Sequence, residues 1–129
     1  MKKYINISLK IMLSLILTLP ILGALGIFPP PTQDLYNTKK AFDFILMLEE
    51  IKYITYIMVT VFVVSIGLVW TKRVSLAALL ILPITVNIVG FHAFLDGGLF
   101  TGGAIPANIL LGLNIYFLWQ NKDKYKSLI

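Results

Sequence analysis

Four apolar runs constrain this chain more than any other feature. They extend over about Ile5 to Phe28, Ile51 to Trp70, Val74 to Leu95 and Ala104 to Trp119, each close to the ~20 residues that cross a bilayer as a helix. Hydrocarbon offers no partner to a backbone N–H or C=O, so such runs fold as helices that pair their backbone groups internally. The prediction is an all-α integral membrane four-helix bundle forming a single domain over residues 1–129. Composition agrees: 58% of the side chains are hydrophobic and 13% charged, with a mean hydropathy of +0.87. A water-soluble domain of this size has too much surface to cover for that composition, whereas a bilayer solvates it readily.

The ends of the runs are punctuated. "FPPPTQD" is expected to stop the first, because three prolines cannot donate to a helix ladder. "WTKR" separates the second from the third, "DGGLFTGGAIP" the third from the fourth, and "QNKDKYK" closes the last. Between the first two runs, "NTKKAFDFILMLEE" offers Asn37 or Thr38 as a helix cap. It is too short to span and reads as an interfacial helix leading into the second span. Tyr53, Tyr56, Trp70, Trp119 and Tyr125 fit the aromatic belt at the water boundary. Basic residues set the orientation. One side holds Lys2, Lys3, Lys72, Arg73, Lys122, Lys124 and Lys126, seven in all, against three on the other, Lys39, Lys40 and Lys52. Both termini are therefore expected in the cytoplasm, with the chain crossing the cell (inner) membrane. A cleaved signal peptide is the rival reading of the first run. Against it, Asn6, Lys10, Ser14 and Thr18 recur every four residues and draw a polar stripe along one helix face, as a bundle-facing span has. Lys10 itself is expected to snorkel to the surface or turn into the bundle.

Several chemistries are excluded or thin. There is no cysteine, so disulfides and thiolate metal sites are absent from the chain. The net charge of +5 forms no stripe with interleaved aromatics, which argues against nucleic acid as a partner. A single His cannot build a multi-histidine metal or haem site within one chain. No GxSxG and no phosphate-binding glycine loop is present, and "GGLFTGG" reads as a flexible turn.

The polar residues of the third run, "PITVNIVGFHAFLDGG", are the candidates for function. Helical spacing places Thr85, His92 and Asp96 close to one line, with Asn87 well around the helix. Pro83 leaves the carbonyl of Leu79 without its helix donor, a gap that a Thr or Asn can fill. Gly97 and Gly98 supply a left-handed stop. Asp96 then faces the negative end of its own helix dipole, while a protonated His92 one turn away is favoured there. The two are expected to pair near the outer interface. Polar side chains are costly against lipid, so Asn87, His92 and Asp96 are all expected to face the bundle.

These residues carry a resemblance. "ALLILPITVNIVGFHAFLDGG", followed by "LNIYFLWQNKDKYKSLI", is similar to the DoxX-like family of small four-span membrane proteins. Pro83, Asn87, His92 and Asp96, with Phe91 or Phe94 and Leu95 between, match its third-span pattern. The proline-rich first loop with Tyr53, and the Tyr125 to Leu128 ending, fit as well, so the resemblance covers about Pro29 to Ile129. Two departures stand out. Val61 occupies a position that is often acidic in the family, with Ser65 where Gly is usual. The first span closes "GALGIFPPP" where the family often ends Gly-x-x-Lys. The resemblance implies a four-span fold and, for some relatives, service as subunits or partners of membrane oxidoreductases that use quinones. The missing acidic residue counts against catalysis by this chain alone.

Three kinds of function follow as expectations. The first is an accessory subunit or partner of a quinone-linked membrane redox system. The others are a small oligomeric transporter or channel whose Lys10–Ser14–Thr18 stripe lines a polar path, and a structural assembly protein, each working as a homo-oligomer or with a partner. A small-molecule site, if present, is expected in the outer half of the bundle. Its bounds would be His92, Asp96, the Asp96–Gly103 turn and the interfacial helix from Phe42 to Glu50, with Tyr53 or Tyr56 as a wall. There neutral His92 would hydrogen-bond a quinone carbonyl or pass a proton while Asp96 orients it.

Overall fold

The computed structural model describes residues 1–128. It contains five α-helices: α1 (Lys2–Ala24), α2 (Lys39–Ile51), α3 (Tyr53–Trp70), α4 (Val74–Phe94) and α5 (Ile105–Gln120). Short 3-10 turns lie at Gln33–Leu35 and Gly102–Ala104, and another from Lys122 to Leu128 closes the described chain. Four of the helical segments, Lys2–Ala24, Tyr53–Trp70, Val74–Phe94 and Gly102–Gln120, are long and apolar enough to cross a membrane. The four-helix expectation is met. The 13 residues of α2 are too few to span.

The bundle follows chain order: α3 lies between α1 and α4, α4 packs on α5, and α5 returns to touch α1. The seam is filled by Leu13 and Leu17 of α1, Phe62 and Val69 of α3, Ala77, Ala78 and Ile81 of α4, and Leu110, Leu113 and Phe117 of α5. The paired alanines let α4 approach its neighbours closely, which is how helices associate where no water drives them together. Most other large apolar side chains face outward, as a lipid-solvated surface requires. Polar ties join the helices at intervals. Asn114, fully buried in α5, donates its amide to Ala78 O of α4 at 2.9 Å. Trp70 Nε1 donates to Ser14 Oγ at 3.0 Å, fixing the end of α3 against α1. Tyr125 Oη donates to Ser75 O at 2.8 Å, anchoring the C-terminal 3-10 turn at the start of α4.

The stops differ from expectation in two places. Helix α1 ends at Ala24, short of the prolines, because Gly26 takes a left-handed φ of 77°. Ile27 N–H then bonds back to Leu22 O at 3.1 Å and Gly26 N–H to Gly23 O at 3.0 Å, the double bond of a Schellman stop. The prolines only keep the chain extended afterwards. The second span begins at Tyr53, because Ile51 completes α2 and Lys52, at φ 61°, breaks the two helices apart. Lys72, at φ 64°, ends α3 by the same device that Gly26 uses, with Arg73 N–H bonded to Leu68 O at 3.0 Å.

Candidate functional site

The polar end of α4 is assembled from two distant stretches of sequence. After Phe94 the chain turns on Gly97 (φ 89°) and Gly98 (φ 107°), and Gly98 N–H bonds back to His92 O at 2.8 Å. Gly97 is needed twice over. Its φ suits glycine, and a Cβ there would stand 3.2 Å from Asn37 Cβ, too close for comfort. That close approach brings the start of α2 onto the end of α4.

Asn37 N–H donates to Asp96 Oδ1 at 2.8 Å, and the Asn37 side-chain amide donates to Asp96 O at 3.0 Å. Thr38 Oγ1 donates to Leu95 O while accepting Ala41 N–H at 3.0 Å, so one hydroxyl both tethers α4 and caps α2. These contacts reverse the electrostatic argument about Asp96. Its carboxylate, 2% exposed, sits at the negative end of α4 but also beside the N-terminus of α2, whose dipole favours an anion. Four aromatic rings close the junction. Tyr36 meets Phe91 edge-on at 6.3 Å and Phe42 at 5.9 Å, and Phe44 meets Phe91 at 5.8 Å.

His92 is brought to Asp96 as the spacing predicts. Its Nδ1 lies 3.3 Å from Asp96 Oδ2. The contact is an ion-pair distance without hydrogen-bond alignment, and the buried Nδ1 has no directed partner. Gly103 closes over both side chains, since a Cβ on it would lie 3.7 Å from His92 Cε1 and 3.8 Å from Asp96 Oδ2. Thr85 is buried on the same line of the helix.

Asn87 and Tyr53 are not part of this group. Asn87 is exposed on the outer face of α4, where its amide donates to Pro83 O, one turn back, at 2.8 Å. The expectation that it faces the bundle is corrected. Closing the amide on its own backbone lowers the cost of the outward position, as for other polar side chains in membrane helices. The two amides Asn87 and Asn114 bond carbonyls on either side of Leu79, those of Pro83 and Ala78, rather than Leu79 itself. Tyr53 opens α3 and is 60% exposed. Val61 packs at the edge of the core, and Ser65 is buried with an unpartnered hydroxyl. Ser14 and Thr18 donate to Lys10 O and Ser14 O of their own helix, so those hydroxyls are turned to the backbone rather than to a polar path.

A cleft lies on the other flank of α2. Its volume is about 490 Å³, and it is bounded by the end of α1 at Gly23 and Gly26, by Phe28 and the prolines 29–31, and by Leu35, Tyr36, Ile45 and Glu49. Neither His92, Asp96, Asn87 nor Tyr53 lines it. Burial, with the charges of Glu49 and Asp96, pushes the Tyr36 phenol above its ordinary value, keeping it a neutral O–H. Tyr36 thus touches both places, the aromatic junction on Phe91 and the cleft. Sequence reading missed it because one Tyr in a loop carries no periodic signal. Among the described residues no three His, Cys, Asp or Glu side chains gather as metal ligands would.

No family model, curated protein or solved structure matches the chain. The likeness to the DoxX-like family rests on the motif residues themselves.

Proposed function

We propose that the chain is a multi-pass accessory subunit of a quinone-linked membrane redox system, lying in the cell membrane with both termini cytoplasmic. The third-span motif supports the family assignment, and the seven-to-three distribution of basic residues supports the orientation. The observation that carries the reading is the cleft beside Tyr36. Its volume falls within the range of small-molecule sites, and apolar side chains line it beside Tyr36 and Glu49. A quinone, when bound, supplies two-electron, two-proton redox chemistry. The residues present fit its head group: Tyr36 O–H donates to a carbonyl oxygen, Glu49 accepts from a quinol hydroxyl, and Phe28, Leu35 and Ile45 flank the ring. Asp96, with His92 beside it, then serves the site indirectly, bonding Asn37 ahead of α2 so that Tyr36 keeps its place.

The hydrogen-bonded junction of residues 37 and 38 with the end of α4 favours a second reading, an assembly protein whose polar groups serve packing alone. Purification in mild detergent separates the two. The expected result is a co-purifying redox protein with bound quinone, and loss of the quinone in Tyr36→Phe with expression unchanged. A ligand-free homo-oligomer with no redox partner would replace the first reading with the second. Quinone retained by Tyr36→Phe but lost from His92→Ala would move the site to the histidine.

A further inference from the structure

We infer that the end of the bundle carrying the chain termini holds a site for the phosphate of an anionic phospholipid, formed by Lys10, Lys72 and Arg73 at the seam of α1 and α3. The inference is independent of the quinone reading, which concerns the opposite end.

The placement follows from one hydrogen bond. Trp70 Nε1 on Ser14 Oγ, at 3.0 Å, sets the last residue of α3 beside Ser14 of the antiparallel α1. Lys10 lies one helical turn, about 5.4 Å, further toward that end, which brings it level with the Thr71–Arg73 turn. It is half-buried within a helix apolar enough to span, and among the described residues it has no acidic partner. Lys72 and Arg73 are exposed in the turn, and the left-handed φ of Lys72 is part of the stop that projects them there. Three cations therefore stand at one level of the bundle, and none of them is in a salt bridge among the described residues. This end carries 11 − 3 = 8 of the basic residues, once Lys39, Lys40 and Lys52 are set aside. Its one acid, Asp123, is already paired with Lys126 at 2.7 Å.

The chemistry that satisfies such a cluster is a phosphate ester, whose oxygens accept several charge-assisted hydrogen bonds at once. A lipid is favoured over a free anion because apolar surface continues directly from the cations. Trp70 is 50% exposed and Leu15 is 63% exposed on the same two helices. An indole at that depth marks the bilayer boundary, so a headgroup held by the cations leaves its acyl chains along hydrocarbon-facing side chains.

Trp70 gives the test its readout. The chain has two tryptophans, so Trp119→Phe leaves Trp70 as the sole reporter. In that background the protein is reconstituted with brominated phosphatidylglycerol or brominated phosphatidylcholine at equal bromine content. Quenching of Trp70 is expected to be stronger with the anionic lipid. Lys10→Gln or Arg73→Gln should each weaken that preference roughly fivefold. Lys122→Gln, at the same end but in the C-terminal 3-10 turn after α5, should leave it unchanged. Should Lys10→Gln fail to insert, Arg73→Gln carries the comparison. Equal quenching by both lipids overturns the proposal. An equal effect of Lys122→Gln overturns it too, by showing a diffuse surface potential. Loss of the preference on adding inorganic phosphate at matched ionic strength would assign the cluster to a free anion instead.

Discussion

Asp96 shows how a side chain that looks misplaced on its own helix is stabilised by another. The carboxylate accepts a backbone N–H from Asn37 while Thr38 ties the neighbouring carbonyl of Leu95. Removing either partner leaves a buried group unpaired. Asp96→Ala is expected to cost ~1–3 kcal/mol, and Thr38→Val about 1 kcal/mol through the lost cap. Because both act on one junction, the double variant should cost less than the sum by ~0.5 kcal/mol or more. Unfolding titrations in mixed micelles measure this, and strict additivity would show that the two contacts are separate. The cap was legible in sequence as Asn37 or Thr38, since capping acts over three residues, and the structure selects Thr38. Its second role was not, because Leu95 stands 57 residues away.

Among the elements, the helices were legible and their ends less so. Apolar length announces a span, but a stop depends on which residue takes a left-handed backbone. At Gly26 the residue type permits it, yet the prolines that follow carry the stronger breaker signal in the sequence. At Lys72 nothing in the side chain announces it. A non-glycine residue in that conformation costs ~1–2 kcal/mol relative to its right-handed form. Lys72→Gly should therefore stabilise the protein by about 1 kcal/mol, read as a raised melting temperature in neutral detergent free of anionic lipid. A lowered melting temperature would mean that the lysine side chain contributes more at the turn than its backbone strain costs.

For the molecule as a whole, the proposed orientation makes one firm demand. Thr71 sits exposed in the turn between α3 and α4, at the same end as the termini. A Cys placed there in this cysteine-free chain should react with a membrane-impermeant maleimide only after the cells are opened. Labelling of intact cells would invert the topology, and the proposed lipid site would then face the other leaflet.

The sequence by itself determined the solvent and therefore the fold class. Hydrocarbon tolerates only internally paired backbone, so four apolar runs leave the chain little choice but helices. It also determined that His92 and Asp96 meet, because a step of four residues on a helix is a local fact. The tertiary structure decided what Asp96 does. Residues 37 and 38 stand 57 to 59 positions away in the chain, and only the packed bundle sets them against the glycine turn. It also decided which polar side chains are shared between helices. Asn87 and Asn114 look alike in sequence, yet one bonds its own helix at the outer face and the other crosses to α4 in the core. Apolar periodicity separates them poorly, since a span facing lipid on one side and helices on the other is apolar all round.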